Sequence, residues 1–98
     1  MLVKVIKSYR DTVAICDSEL VGKKFEEGKF QLDVKESFYK GEELSEEQVS
    51  IILTRMMRED ATFNIVGRKA VALALRHGII LEEGIKEIQG VPFAMVLL

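Results

Sequence analysis

Polar and apolar residues alternate near both ends of this chain and follow a helical period through its middle. Residues 2–9 and 12–17 are two β-rich runs separated by the polar pair Arg10-Asp11, a pattern that predicts a hairpin. Asp17 and Ser18 then offer caps for one short helical turn through Leu20 and Val21, ended by Gly22. From Lys29 to Lys35 the alternation is clean, with Phe30, Leu32 and Val34 on one side and Gln31 and Asp33 on the other. This predicts a half-buried strand with one wet face. Residues 36–44 read as a polar loop carrying Phe38, Tyr39 and Lys40.

The period then changes. Ser45-Glu-Glu-Gln48 is a capping box, in which the serine oxygen and the glutamine side chain satisfy backbone N–H groups reciprocally. The helix it opens is expected from about Glu46 to Arg58, with Val49, Ile52, Leu53 and Met56 as its core stripe. A second helix is expected from about Asn64 to His77, stopped by Gly78. Stepping residues at ~100° around it puts Val66, Ala70, Val71, Leu73 and Ala74 inside, and Arg68, Lys69, Ala72 and Arg76 outside. A strand near Ile85–Ile88 follows. The final run, Phe93–Leu98, is apolar on both sides, as in a central strand covered on both faces. The order β-β-turn-β-α-α-β-β predicts one α+β domain over residues 1–98, two helices packed on a mainly antiparallel sheet of about five strands.

Composition narrows the function classes. The 98 residues are 48% hydrophobic, enough for a real core, and their 31% charged residues balance to a net −2. That balance exerts no long-range pull on nucleic acid or anionic membrane as a whole. Abundant lysine and glutamate with a single proline lean toward a thermophile's composition. The single cysteine, Cys16, has no internal disulfide partner. The lack of any His/Cys cluster argues against a metal site. No apolar run approaches the ~18 residues of a membrane span, and the first residues are too short and too alternating for a signal peptide. A cytoplasmic setting without cofactor or metal is the expectation.

The chemistry is concentrated in Asn64 to His77. Arg68 and Lys69 fall in a first helical turn, where the macrodipole repels cations. With Asn64 and the bare backbone at Gly67 they outline either an anion site or an exposed basic stripe. Arg55 and Arg58 add to the stripe from the first helix, with Ile51 between them. The stretch Arg55–Arg76 carries net +3, against −5 over Asp17–Glu47. Phe38, Tyr39 and Lys40 could stack bases or simply fold over the core edge. His77 reads as a packed helix cap. Cys16, beside Asp17, reads as an unactivated thiol.

The segments Cys16–Lys23, Phe25–Gly28, Ser37–Glu42, Asn64–Val71 and Gly90-Val91-Pro92 occur in an order that resembles the archaeal family known as domain of unknown function 424. The resemblance implies a small cytoplasmic archaeal protein, and no established activity, cofactor or substrate. In that family histidine often follows the Gly-Val-Pro segment, and a polar residue is usual two positions further on. Phe93 and Met95 stand there in this chain, which argues against catalysis at that segment.

Three functions are expected in this order. The first is a non-catalytic binding module whose basic helix face contacts RNA, for example in the translation apparatus, or an acidic protein. The second is an oligomeric subunit pairing through the wet-faced 29–35 strand as a sheet edge. The third is a small-anion receptor or enzyme at the 64–69 helix start.

Overall fold

The structure, a computed structural model, describes residues 1–97. Strands β1 (Leu2–Ile6) and β2 (Thr12–Cys16) form the expected antiparallel hairpin. A 3-10 turn over Ser18–Leu20 follows, then a second hairpin of β3 (Lys24–Glu27) and β4 (Phe30–Asp33). The short helix α1 (Glu36–Tyr39) and the two-residue strand β5 (Glu42–Glu43) lead into helix α2 (Glu46–Arg58). Strand β6 (Thr62–Val66), helix α3 (Arg68–Arg76), a 3-10 turn over Glu82–Gly84, and strands β7 (Lys86–Ile88) and β8 (Val91–Val96) complete the chain. The radius of gyration, 12.4 Å, is that of one domain of this length, about 13 Å.

The main sheet has six strands in the order β5-β1-β2-β6-β8-β7, and β3-β4 form a separate two-stranded sheet. The expected sheet of about five strands thus has six and is mainly antiparallel, as expected, but mixed. Its centre is a parallel pair, β2 and β6, flanked by antiparallel partners. The pairing explains the composition of β2. Val13, Ala14, Ile15 and Cys16 are all fully buried because both faces of this strand are covered.

One face carries Val3, Ile15, Ile65 and Ala94 in register across four strands. They pack with Val49, Leu53 and Met56 of α2 and with Ala70, Val71, Leu73 and Ala74 of α3. The other face carries Leu2, Ala14, Cys16 and Val66, closed by Leu32 and Val34 from the second hairpin and by Tyr39 from α1. The protein therefore has three layers, where the pattern of helices on a sheet implied two.

Local signals hold where they are self-contained. In α2 the Ser45 side chain accepts the Gln48 N–H and the Gln48 side chain accepts the Ser45 N–H, so the capping box is complete. We expect Ser45→Ala to cost about 1 kcal/mol, a fall of about 4–8 °C in melting temperature; an unchanged melting temperature would show that tertiary packing alone sets this helix end. At the end of α3, Gly78 (φ +70°) takes the left-handed position, with the Ile79 N–H on the Ala74 carbonyl and the Gly78 N–H on the Leu75 carbonyl. This is the Schellman arrangement expected of a glycine stop.

Three readings change. Residues 64–66, expected to open the second helix, belong instead to strand β6: flanked on both sides in the sheet, its Phe63, Ile65 and Val66 are buried by pairing. Phe30 shares the pleat of Leu32 but sits beside the hairpin turn and is 72% exposed, because the tip runs past the layer it covers. The last strand, β8, lies between β6 and β7 rather than at the sheet centre. The second hairpin covers its Phe93 end and leaves Met95 exposed. Leu98, the end of the expected strand, lies outside the described residues.

Candidate functional site

Helix α3 begins at Gly67, whose backbone (φ +109°, ψ 159°) is open only to glycine. Glycine supplies no side-chain oxygen, and the first turn holds Arg68 and Lys69 without an acid. The missing acceptor comes from the other central strand. Asp17, 5% exposed, accepts the Lys69 N–H on Oδ2 at 3.0 Å and the Ala70 N–H on Oδ1 at 2.9 Å. Its own N–H donates to the Val66 carbonyl at 3.0 Å. These are the N–H groups that an N-cap side chain ordinarily serves, so Asp17 caps α3 from some fifty residues away. It does not cap the 3-10 turn beside it, as the sequence suggested.

Parallel pairing makes this possible. Because Cys16 sits opposite Val66, β2 and β6 end side by side, and the next residue of each chain segment meets at the helix start. A cleft of about 180 Å³ opens there, lined by Asp17, Leu20, Gly67, Arg68, Val91 and Pro92 among others. The Gly67 N–H donates to the Pro92 carbonyl at 2.8 Å, and the Arg68 guanidinium donates to the Gly90 carbonyl at 3.3 Å. Three of the family-like segments thus converge on one spot. The anion that the helix start holds is the protein's own carboxylate, which also offsets the adverse placement of two cations.

The other expected site residues are distributed differently from the sequence reading. Asn64 lies in β6, opposite Ala14 and Met95, on the sheet face away from α3, so it is no donor at the helix start. The outward phase of Arg68, Lys69, Ala72 and Arg76 is as expected, since all four are exposed. They do not act as one stripe. Arg68 turns to Gly90, while Arg76, about 12 Å along the helix axis, pairs with Glu46 at 2.7 Å. Phe38 and Tyr39 pack edge to face at 5.0 Å; Tyr39 is buried and Phe38 half-buried, and only Lys40 is exposed. The Tyr39 ring is thus closed off from a base. His77 caps α3 and shares a 3.0 Å hydrogen bond with the Ser50 hydroxyl, tying α3 to α2.

The outer face of α2 is the second candidate. Ile51, Thr54, Arg55 and Arg58 repeat at helical spacing and, with Ser50, line a shallow groove of about 470 Å³. A neighbouring hollow of about 300 Å³ is lined by Thr54, Met57, Arg58 and His77. Ile51, on the groove, is 68% exposed, and Met57, on the neighbouring hollow, is exposed as well. Among the described residues neither Arg55 nor Arg58 makes an ion pair. Both lie in the last turns of α2, where the dipole favours them.

Cys16 is not a reactive thiol. Burial, reinforced by the Asp17 charge, pushes it up from 9.0 to about 11. Burial likewise pushes Tyr39 from 10.0 to about 12. Both groups hold their protons more tightly in the native fold than in the unfolded chain. Their contribution to stability is therefore intact below pH 9.0 and is lost as pH rises through about 11 and 12. We expect Tyr39→Phe to flatten part of the alkaline fall in melting temperature; parallel curves for the two proteins would refute this. Among the described residues no group of three or more histidine, cysteine, aspartate or glutamate side chains could hold a metal ion, and no helix is long and apolar enough to cross a membrane.

A three-layer α+β domain with a carboxylate-capped helix at its central parallel pair is the class that this fold defines. The chain matches, over residues 6–98, the family described as a protein of unknown function (DUF424), and it belongs to that family. Its fold is shared with the crystal structure of an uncharacterized conserved protein from Methanopyrus kandleri. That similarity has a TM-score of 0.85 at 22% identity, over 97% of this chain and 88% of that one. No curated protein matches the chain.

Proposed function

We propose that this protein is a non-catalytic binding module whose docking surface is the outer face of α2, and that its partner is an acidic protein segment. The observation that carries the reading is the exposed stripe Ile51–Thr54–Arg55–Arg58, in which an exposed isoleucine stands with two arginines that form no ion pair among the described residues. Arginine beside exposed aliphatic side chains is the chemistry of a protein interface core and its rim. RNA is less well served. A phosphate backbone needs several uncommitted cations and a base needs a stacking platform. Here Arg68 and Arg76 are engaged and Tyr39 is buried. Anion capture or catalysis at the α3 start is less well served again, because Asp17 fills that position.

The test is fluorescence anisotropy with two labelled probes, a peptide alternating leucine and glutamate and a uridine-rich RNA of equal charge. The peptide is expected to bind at low salt, and Arg55→Ala with Arg58→Ala to weaken it by about tenfold or more. No peptide binding, or binding that the double substitution leaves unchanged, would overturn the reading. Binding of the RNA alone, lost in the same variant, would reassign the face to nucleic acid.

A further inference from the structure

The large apolar side chains that the fold leaves in water are not scattered evenly. Among the described residues seven are exposed: Tyr9, Phe30, Ile51, Met57, Leu81, Met95 and Leu97. On α2, Ile51 shares its groove with Arg55 and Arg58, while Met57, about 120° round the helix from it, borders the neighbouring hollow with Arg58. Leu81, Met95 and Leu97 gather elsewhere, where the turn after α3 lies against the last strand, around a groove of about 460 Å³. Leu81 and Leu97 are 68% and 70% exposed. The charges at this second patch have the opposite sign, since Leu81 is followed by Glu82 and Glu83, both exposed. Glu83 is the one charged residue lining the groove. One chain thus carries two apolar surfaces, one edged by two arginines and one by two glutamates.

We infer that the acidic partner of the α2 face is a second copy of this chain, docking through the surface built on Leu81, Glu82, Glu83, Met95 and Leu97. This inference rests on the α2 docking face proposed above and names its occupant. Contiguous exposed apolar surface marks an interaction site, and complementary rims steer the encounter and fix its register. Since the two patches are different surfaces, the contact is heterologous. Repeated head to tail, it closes into a ring or extends as a filament. The expected contact differs from the edge pairing through the 29–35 strand that the sequence suggested, because it uses side chains of a helix and a turn rather than backbone.

Sedimentation equilibrium on the full chain tests this. The wild-type mass is expected to rise with concentration from micromolar to millimolar at low salt, and salt to oppose the rise. Arg55→Glu with Arg58→Glu, and separately Glu82→Arg with Glu83→Arg, should each weaken association by about tenfold or more. Mixing the two variants should restore it, and restoration also demonstrates that both are folded. A wild-type protein that stays monomeric throughout overturns the inference. So does association that survives both reversals, or that the mixture fails to restore. The leucine-glutamate peptide separates the two proposals: a monomer that binds it loses only the self-partner, whereas a monomer that ignores it loses the docking face as well.

Discussion

Gly67→Ala is expected to destabilise the protein by about 3–5 kcal/mol, a large share of the 5–15 kcal/mol typical of a domain. Two effects add. At φ +109° and ψ 159° an L side chain is strained whatever space surrounds it. An added Cβ would also stand 2.4 Å from Cγ and 2.6 Å from Oδ2 of Asp17. Relief by movement is closed off, because the same carboxylate is held by two N–H groups and the Gly67 N–H by the Pro92 carbonyl. Thermal and urea unfolding measure the loss. In an Asp17→Ala background the substitution should cost less, since the two atoms nearest the added Cβ, Cγ and Oδ2 of Asp17, are then gone. A melting temperature within a few degrees of wild type would mean that the α3 start is far more plastic than its contacts imply.

Asp17→Ala is the second large effect, at about 2–4 kcal/mol. It strips two N–H groups, one buried and one part-buried, of their acceptor and removes the carboxylate that caps a helix end carrying Arg68 and Lys69. Asp17→Asn keeps the shape and offers one acceptor oxygen, but it turns an amide N–H₂ toward a backbone donor. It should recover less than half of the loss. Equal stability of Asp17→Asn and wild type would show that charge and second acceptor are both dispensable. Hydrogen exchange at Lys69 and Ala70 gives the local readout, with faster exchange expected in both variants.

These two residues also mark how far the sequence could be read. Its anomaly, two cations and no acid in the first turn of a helix opened by glycine, was visible from residue types alone. The same anomaly was the signal for a distant acid, because such a turn must take its acceptor from elsewhere in the chain. Nothing local singled out Asp17, which is as good a cap for the turn that follows it as for a helix 52 residues away. Residues 64–66 of β6 read as helix for a related reason. Asn64 offers a helix cap and Ile65-Val66 continue a helical stripe, while the strand assignment depends on flanking partners that the segment does not contain. Phe38 and Tyr39 could be read either as a stacking pair or as core cover, and only the second hairpin closing over the sheet decides for the core.

The sequence by itself determined the hairpin of β1 and β2, the capped helix α2 with its inward stripe, the inward and outward phase of α3 and its glycine stop. Each depends on residues close together in the chain, where side-chain alternation, the rotation per residue and the capping geometry act within one local stretch. Only the tertiary structure decided the parallel β2–β6 pair, the second covering layer, the cap from Asp17 and the division of the basic residues between Gly90, Glu46 and the open α2 face. Those depend on which apolar surfaces bury one another across the chain, and burial is a property of the assembled layers rather than of any stretch of residues.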